Sequence, residues 1–250
     1  MEQIMIDVQN VSVRFNLMKE RTSTLKEYAI RLLRRQLLFE ELWALKGVSF
    51  SLAKGDSMAL IGRNGSGKST MLKAICGVIT PSTGRVEVHG SIAPLIELGV
   101  GFDVELTARE NIYLNGALMG NDRKFMNAHF DEIVEFSELQ DFLDVPIKNF
   151  SSGMFSRLGF SIATIVKTDI LLIDEILAVG DSAFQIKCEE KINQLLSGGT
   201  TLVFVSHDAN QVKRLCKKAI WLDHGIVKMQ GDVNTVCDEY SRAFQKPENA

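Results

Sequence analysis

The chain has 250 residues, of which 46% are hydrophobic and 24% charged, with a formal net charge of −3. Such a composition belongs to a globular chain long enough for a well-buried core; it excludes a disordered polypeptide, and the slightly acidic balance argues against a surface built generally for nucleic acid. Cys76, Cys188, Cys216 and Cys237 show no metal or disulfide spacing and read as reduced core thiols, and because Lys167 and Asp169 interrupt the best apolar run, any membrane role is expected from the water side.

Residues 4 to 15 alternate as a strand does, with Val11, Val13 and Phe15 on one face, and Val48, Phe50 and Leu52 repeat the pattern. Together they predict a small antiparallel sheet. Between them, residues 16–43 form an insertion: Thr24-Leu25-Lys26-Glu27 is a capping box, and Leu25, Tyr28, Ala29, Leu32 and Leu33 follow at helical spacing with Arg31 and Arg34 opposite. This amphipathic helix either packs on its own domain or lies at a membrane surface or a membrane-embedded partner.

Ser57 to Ile61 is a short apolar run leading into Gly62-Arg63-Asn64-Gly65-Ser66-Gly67-Lys68-Ser69-Thr70. The glycines of this G-x-x-x-x-G-K-[ST] pattern let backbone N–H groups converge on an anion, and the following helix, closed by Gly77, adds its dipole. Lys68 is expected to reach the β- and γ-phosphates of a nucleotide, and Ser69 to ligate a bridging Mg²⁺.

Arg85 to Val88 is strand-like, and residues 98–166 read as a helical block: Thr107-Ala108-Arg109-Glu110 caps one helix, and Met126, Phe130, Ile133 and Val134 mark another. Within it, Phe150-Ser151-Ser152-Gly153-Met154 opens a helix whose start is either a second anion site, with the Ser151 hydroxyl and Gly153 N–H as donors, or a plain serine cap. The α/β character then returns. Ile170 to Ile173 and Thr201 to Val205 predict buried parallel strands. The first ends in Asp174 and Glu175, at the sheet edge where the phosphate loop opens; Asp174 is placed to hold Mg²⁺ and Glu175 to polarise water for attack on the γ-phosphorus. His207, just past the second strand, suits a group that senses the γ-phosphate and fixes that water. Asp181 is a helix cap or a contact across a dimer. Residues 219–250 predict a hairpin and a closing helix, Val233 to Phe244, with a polar tail.

In that order, Gly62 to Thr70, Ser151 to Met154, Asp174-Glu175, Ala178 to Asp181 and His207 resemble the Walker A, signature, Walker B, D-loop and H-loop elements of ABC transporter ATP-binding subunits, a likeness running from about Ile4 to Phe244. It implies an α/β fold over the single domain 1–250: a RecA-like P-loop NTPase core with a parallel sheet, an antiparallel β subdomain and an inserted helical subdomain. It also implies ATP and Mg²⁺ as cofactors and a homodimer in which each ATP lies between one subunit's phosphate loop and the other's signature helix. By the same likeness Phe15 stacks on adenine, Thr70 joins Asn64, Gly65 and Ser66 around the phosphates, and Glu97 stands where a Mg²⁺-contacting glutamine is expected. Ser152 and Met154 depart from the usual L-S-G-G-Q. These departures, Ile96 to Phe102, Thr107 to Asn115 and the insertion before Trp43 resemble the branch exporting lipid-linked polysaccharides such as O-antigen, capsule and teichoic acid. That branch implies a peripheral ATPase on the cytoplasmic face of the membrane, two copies of a separate permease, a lipid-linked glycan as substrate and no nucleic acid. The alternatives are an exporter ATPase for another substrate, a soluble ABC-type ATPase acting on ribosome or DNA, and a P-loop kinase or GTPase, which would not need Ser151 to Met154.

Overall fold

The computed structural model describes residues 3–18, 39–95, 99–166, 168–174, 181–206 and 208–244. Two sheets face each other. The first is antiparallel, ordered β2-β1-β4, from β1 (Ile4–Met18), β2 (Phe39–Ala53) and β4 (Thr83–Val88). The second has six strands, ordered β5-β6-β7-β3-β8-β9: β5 (Ile92–Leu95), β6 (Ile170–Asp174), β7 (Thr201–Val205), β3 (Ser57–Ile61), β8 (Lys218–Asp223) and β9 (Ile226–Asp232). Its members pair in parallel except for the final β8–β9 hairpin.

Alternation along the central strands divides the interior in two, since successive side chains in a strand point to opposite faces. Met58, Leu60, Ile170, Leu172, Val203 and Val205 face the antiparallel sheet, sharing a core with Val11, Val48 and Leu52 and with Met71, Leu72 and Ile75 of helix α1 (Lys68–Ile75). Ala59, Ile61, Leu171, Ile173, Leu202 and Phe204 face the other way, against residues of α5 (Ser182–Ser197), α6 (Ala209–Leu215) and α7 (Val233–Phe244). Burial on both faces accounts for the uninterrupted apolar runs of β3, β6 and β7. Each such side chain taken out of water contributes about 1.5–3 kcal/mol.

A third core lies in the helical block, where Ile112, Met126, Ile133, Leu158 and Ile162 bring together α2 (Ala108–Leu118), α3 (Arg123–Ser137) and α4 (Ser152–Ile165). The capping box predicted at Thr107 forms: its Oγ1 accepts from Glu110 N, and the Glu110 carboxylate accepts from Thr107 N at 2.8 Å. The block is not purely helical, since Thr107 forms a β-bridge with Pro146. Two further boundaries change. β1 continues through Met18 and β2 begins at Phe39, with Asn16 opposite Glu41, so both ends of the 16–43 insertion are strand. The helix predicted from Thr24 to Leu33 lies outside the described residues. The C-terminal hairpin starts at Lys218 rather than 219.

Candidate active site

The phosphate loop joins β3 to α1, so it emerges at the carboxyl end of a central parallel strand, where open α/β sheets bind ligands. Lys68 is almost buried and its Nζ curls back over the loop, donating to the Gly62 carbonyl at 2.8 Å and the Arg63 carbonyl at 3.0 Å. Gly67 precedes the helix at φ +108, and a Cβ there would sit 2.6 Å from the Ala44 carbonyl oxygen. β2 therefore approaches the loop too closely for any side chain at that position.

The acid strand arrives on the same side. At the end of β6, Asp174 Oδ2 accepts from the Ser69 hydroxyl at 3.1 Å, bringing together residues 105 positions apart. Two hard oxygen donors in contact beside a polyphosphate cradle fit Mg²⁺, which takes few protein ligands and completes its octahedron with phosphate oxygens and water. Glu175, His207 and Glu97 lie outside the described residues.

A cleft of ≈ 790 Å³ opens over the loop, within the range of small-molecule sites. Of the residues expected around ATP, it is lined by Phe15, Asn64, Gly65, Gly67, Lys68, Ser69, Thr70 and Asp174. Glu41, Leu42, Trp43, Ala44, Lys46 and His224 line it too, and were not foreseen. Glu41, Leu42 and Trp43 arrive by pairing across the sheet, where Arg14 faces Trp43, Phe15 faces Leu42 and Asn16 faces Glu41, and His224 comes from the β8–β9 turn. The available signal was β1's alternation, since a strand that brings Phe15 to a ligand brings its partner strand as well. At the other edge the β8–β9 turn braces the loop, with Gly225 N donating to the Ser66 carbonyl at 3.0 Å and Lys46 N donating to the Gly225 carbonyl at 2.8 Å.

Ser151 and Gly153 are not among the residues lining this cleft. Ser151 caps α4, its Oγ accepting from Met154 N at 3.2 Å, so the plain cap is realised. Accepting that bond leaves the hydroxyl hydrogen able to donate, and α4 presents its N-terminus with Ser151 and Ser152 exposed. Further along, Arg157 pairs with Glu138 of the α3 C-cap, reaches Asp181 Oδ2 at 2.6 Å and stacks 4.7 Å over the Phe184 ring. The Lys187 ammonium and Arg157 hold the Glu138 carboxyl below its ordinary range. Asp181 caps α5 by accepting from Phe184 N at 2.9 Å, and that bond, with Arg157, lowers its pKa. The signature helix is thereby tied to the segment following the acid strand. Burial pushes the Cys188 thiol to about 12 and raises Cys76, Cys216 and Cys237, which favours the neutral thiol in each.

A phosphate cradle at a sheet's carboxyl edge, a serine–aspartate pair beside it and a separately capped helix in an inserted block are the features of a nucleotide-binding cassette. Residues 45–178 match the family described as ABC transporter, and the chain belongs to it. The chain is 47% identical over 201 residues to the O-antigen export system ATP-binding protein RfbB of Klebsiella pneumoniae, covering 80% of this chain and 82% of that one. It is 40% identical over 251 residues to the teichoic acids export ATP-binding protein TagH of Listeria innocua, covering 99% of this chain and 74% of that one. Its fold matches a dimeric post-hydrolysis state of the ATP-binding cassette MJ0796 bound to ADP and Pi, with a TM-score of 0.73 at 22% identity over 92% of this chain and 99% of that one.

Proposed function

We propose that this chain is the ATPase subunit of a transporter that exports a lipid-linked polysaccharide of the O-antigen, capsule or teichoic acid type. The observation that carries the substrate class is the likeness to O-antigen and teichoic acid export ATP-binding proteins over most of the chain. In this reading two copies face one another, each holding ATP on its phosphate loop while the partner's α4 N-terminus grips the γ-phosphate through Ser151 and Gly153. The dimeric MJ0796 cassette supports such an arrangement.

Phe15 stacks on adenine, and Asn64, Gly65, Ser66, Gly67 and Thr70 surround the phosphates, whose charge Lys68 offsets. Ser69 and Asp174 would hold Mg²⁺, with Glu97 a further candidate ligand, and an ion held there would supply positive charge against that developing on the phosphoryl oxygens. Glu175 takes up a proton from the attacking water, and His207 orients that water. Closure of the dimer assembles this geometry and opening releases product, so hydrolysis gates a conformational cycle.

The cycle acts on two copies of a permease at the cytoplasmic face of the membrane. No helix among the described residues is long and apolar enough to cross a membrane. A groove of ≈ 590 Å³ between β5, α2 and α4, lined by Pro94, Val100, Leu118, Met119 and Ala163, offers an apolar seat on the helical block. Co-purification with a permease of about six transmembrane segments encoded beside this chain, followed by ATPase assays with and without lipid-linked glycan, tests the reading. Glycan-stimulated turnover of the complex supports it; a chain that neither co-purifies nor responds refutes it.

A further inference from the structure

The C-terminal elements hold the phosphate loop at more than the Ser66 carbonyl. Trp221 of β8 pairs opposite Ile61, the residue that leads into Gly62. A Cβ at Gly62 would lie 2.2 Å from the Leu222 carbonyl oxygen, so the first residue of the loop rests directly on that strand. Outside it, α7 lays Val233, Val236, Cys237 and Tyr240 along the core at helical spacing, and Phe244 extends the stripe by one turn. Phe244 is 46% exposed, yet its ring centroid lies 5.0 Å from that of Tyr240 and 6.1 Å from that of Trp221. The Arg63 guanidinium sits 5.7 Å from the same centroid, within cation–π range. Among the described residues that guanidinium forms no ion pair, so the ring is its seat. Burial raises the Tyr240 phenol pKa and the Arg63 charge opposes the rise, in keeping with a cation beside these rings.

We propose that Phe244 is a positioning residue for ATP binding, acting through Arg63 on the direction in which Lys68 meets the phosphates. Arg63 is the crossing point of the loop: its carbonyl accepts from Lys68 Nζ at 3.0 Å and from Ser66 N at 3.1 Å. A side chain seated on the ring steadies the residue that carries this carbonyl, and with it the tether that fixes where Nζ stands over the loop. Phe244 is not among the residues lining the cleft, so its influence on the nucleotide is indirect. The inference rests on the ATP-binding reading of the loop and adds a residue from the far end of the fold.

Calorimetric titration with MgATP is the test. An exposed cation–π contact corresponds to about a two- to fivefold change in an equilibrium constant. Phe244→Leu keeps apolar bulk and removes the π-face, and should weaken MgATP binding by about that factor; Phe244→Ala should weaken it at least as much. Phe244→Tyr, which keeps the ring, should bind as wild type does. In an Arg63→Gln background Phe244→Leu should have no further effect, because residues that act through one contact are not additive. Wild-type affinity in Phe244→Leu, an affinity in Phe244→Tyr as low as in Phe244→Ala, or an undiminished effect of Phe244→Leu in the Arg63→Gln background overturns the proposal while leaving the ATPase reading intact. Failure of wild-type protein to bind MgATP would remove the nucleotide site and the proposal together.

Discussion

Gly225→Ala perturbs the site without replacing any residue of the phosphate loop. Gly225 has φ +79, and a Cβ there would lie 2.6 Å from the Ala44 oxygen, 2.9 Å from the Ala44 carbonyl carbon and 3.1 Å from Leu45 Cα. All three are backbone atoms, so no rotamer change relieves the overlap. The left-handed φ costs an alanine about 1–2 kcal/mol, and separating packed backbone adds about 1–3 kcal/mol. A loss of about 2–5 kcal/mol is a large share of the roughly 5–15 kcal/mol that holds a domain folded. It lowers the melting temperature by about 4–20 °C at roughly 2–4 °C per kcal/mol for a chain of this size. Gly120→Ala is the reference, because Gly120 has φ +83 and open space where its Cβ would go, leaving the φ term alone. Since Gly225 N holds the Ser66 carbonyl at 3.0 Å, the alanine variant should also weaken MgATP binding. Urea unfolding and calorimetric titration measure the two effects. The reasoning fails if Gly225→Ala loses no more stability than Gly120→Ala and binds MgATP as tightly as wild type.

Glu175→Gln should retain MgATP binding, slow hydrolysis by about 10²–10⁴-fold as loss of a general base does, and accumulate closed dimers on size-exclusion chromatography; unchanged turnover removes Glu175 from the mechanism. In a Trp221→Phe background the remaining indole is Trp43 in the cleft wall, so MgATP should change the emission, and a silent titration would place the base elsewhere. Glu138 has a lowered folded-state pKa, so its ion pairs with Arg157 and Lys187 stabilise above its unfolded value, about 4.3, and that contribution disappears as pH falls through the folded value. Comparing urea midpoints at neutral and acid pH, Glu138→Gln should lose less on acidification than wild type, and equal losses would remove the linkage. Replacing Arg31 and Arg34 by Glu should impair export and spare MgATP affinity if the insertion works at the membrane; intact export in cells assigns that helix to packing on its own domain.

The elements legible in the sequence are those whose signal is local. The phosphate loop, the runs at Ile170 and Thr201 and the Thr107 capping box announce themselves within ten residues. Others, β5 and α5 among them, do not. β5 is a four-residue edge strand containing Pro94, a residue that argues against a strand except at an edge. α5 buries a thin stripe of Phe184, Cys188 and Ile192 among charged neighbours, too sparse a pattern to mark a helix. The site divides in the same way. Lys68, Ser69 and Asp174 follow from motifs, whereas Glu41, Trp43 and His224 enter the cleft through strand register and a distant turn. Asp181, left between a cap and a dimer contact, proves to be a cap that also anchors Arg157.

The order of strands has a consequence for how the protein is made. β3, which leads into the phosphate loop, is flanked by β7 and β8, with Ser57 opposite Leu202 and Met58 opposite both Val203 and Lys218. A ribosome that has synthesised the loop has therefore not yet supplied either neighbour of the strand bearing it. The helical block, whose contacts are closer in sequence, is free to collapse first, while β3 keeps an apolar edge exposed until the last fifth of the chain emerges. Nascent chains halted before Asp223 should be captured by chaperones and should not be retained on immobilised ATP.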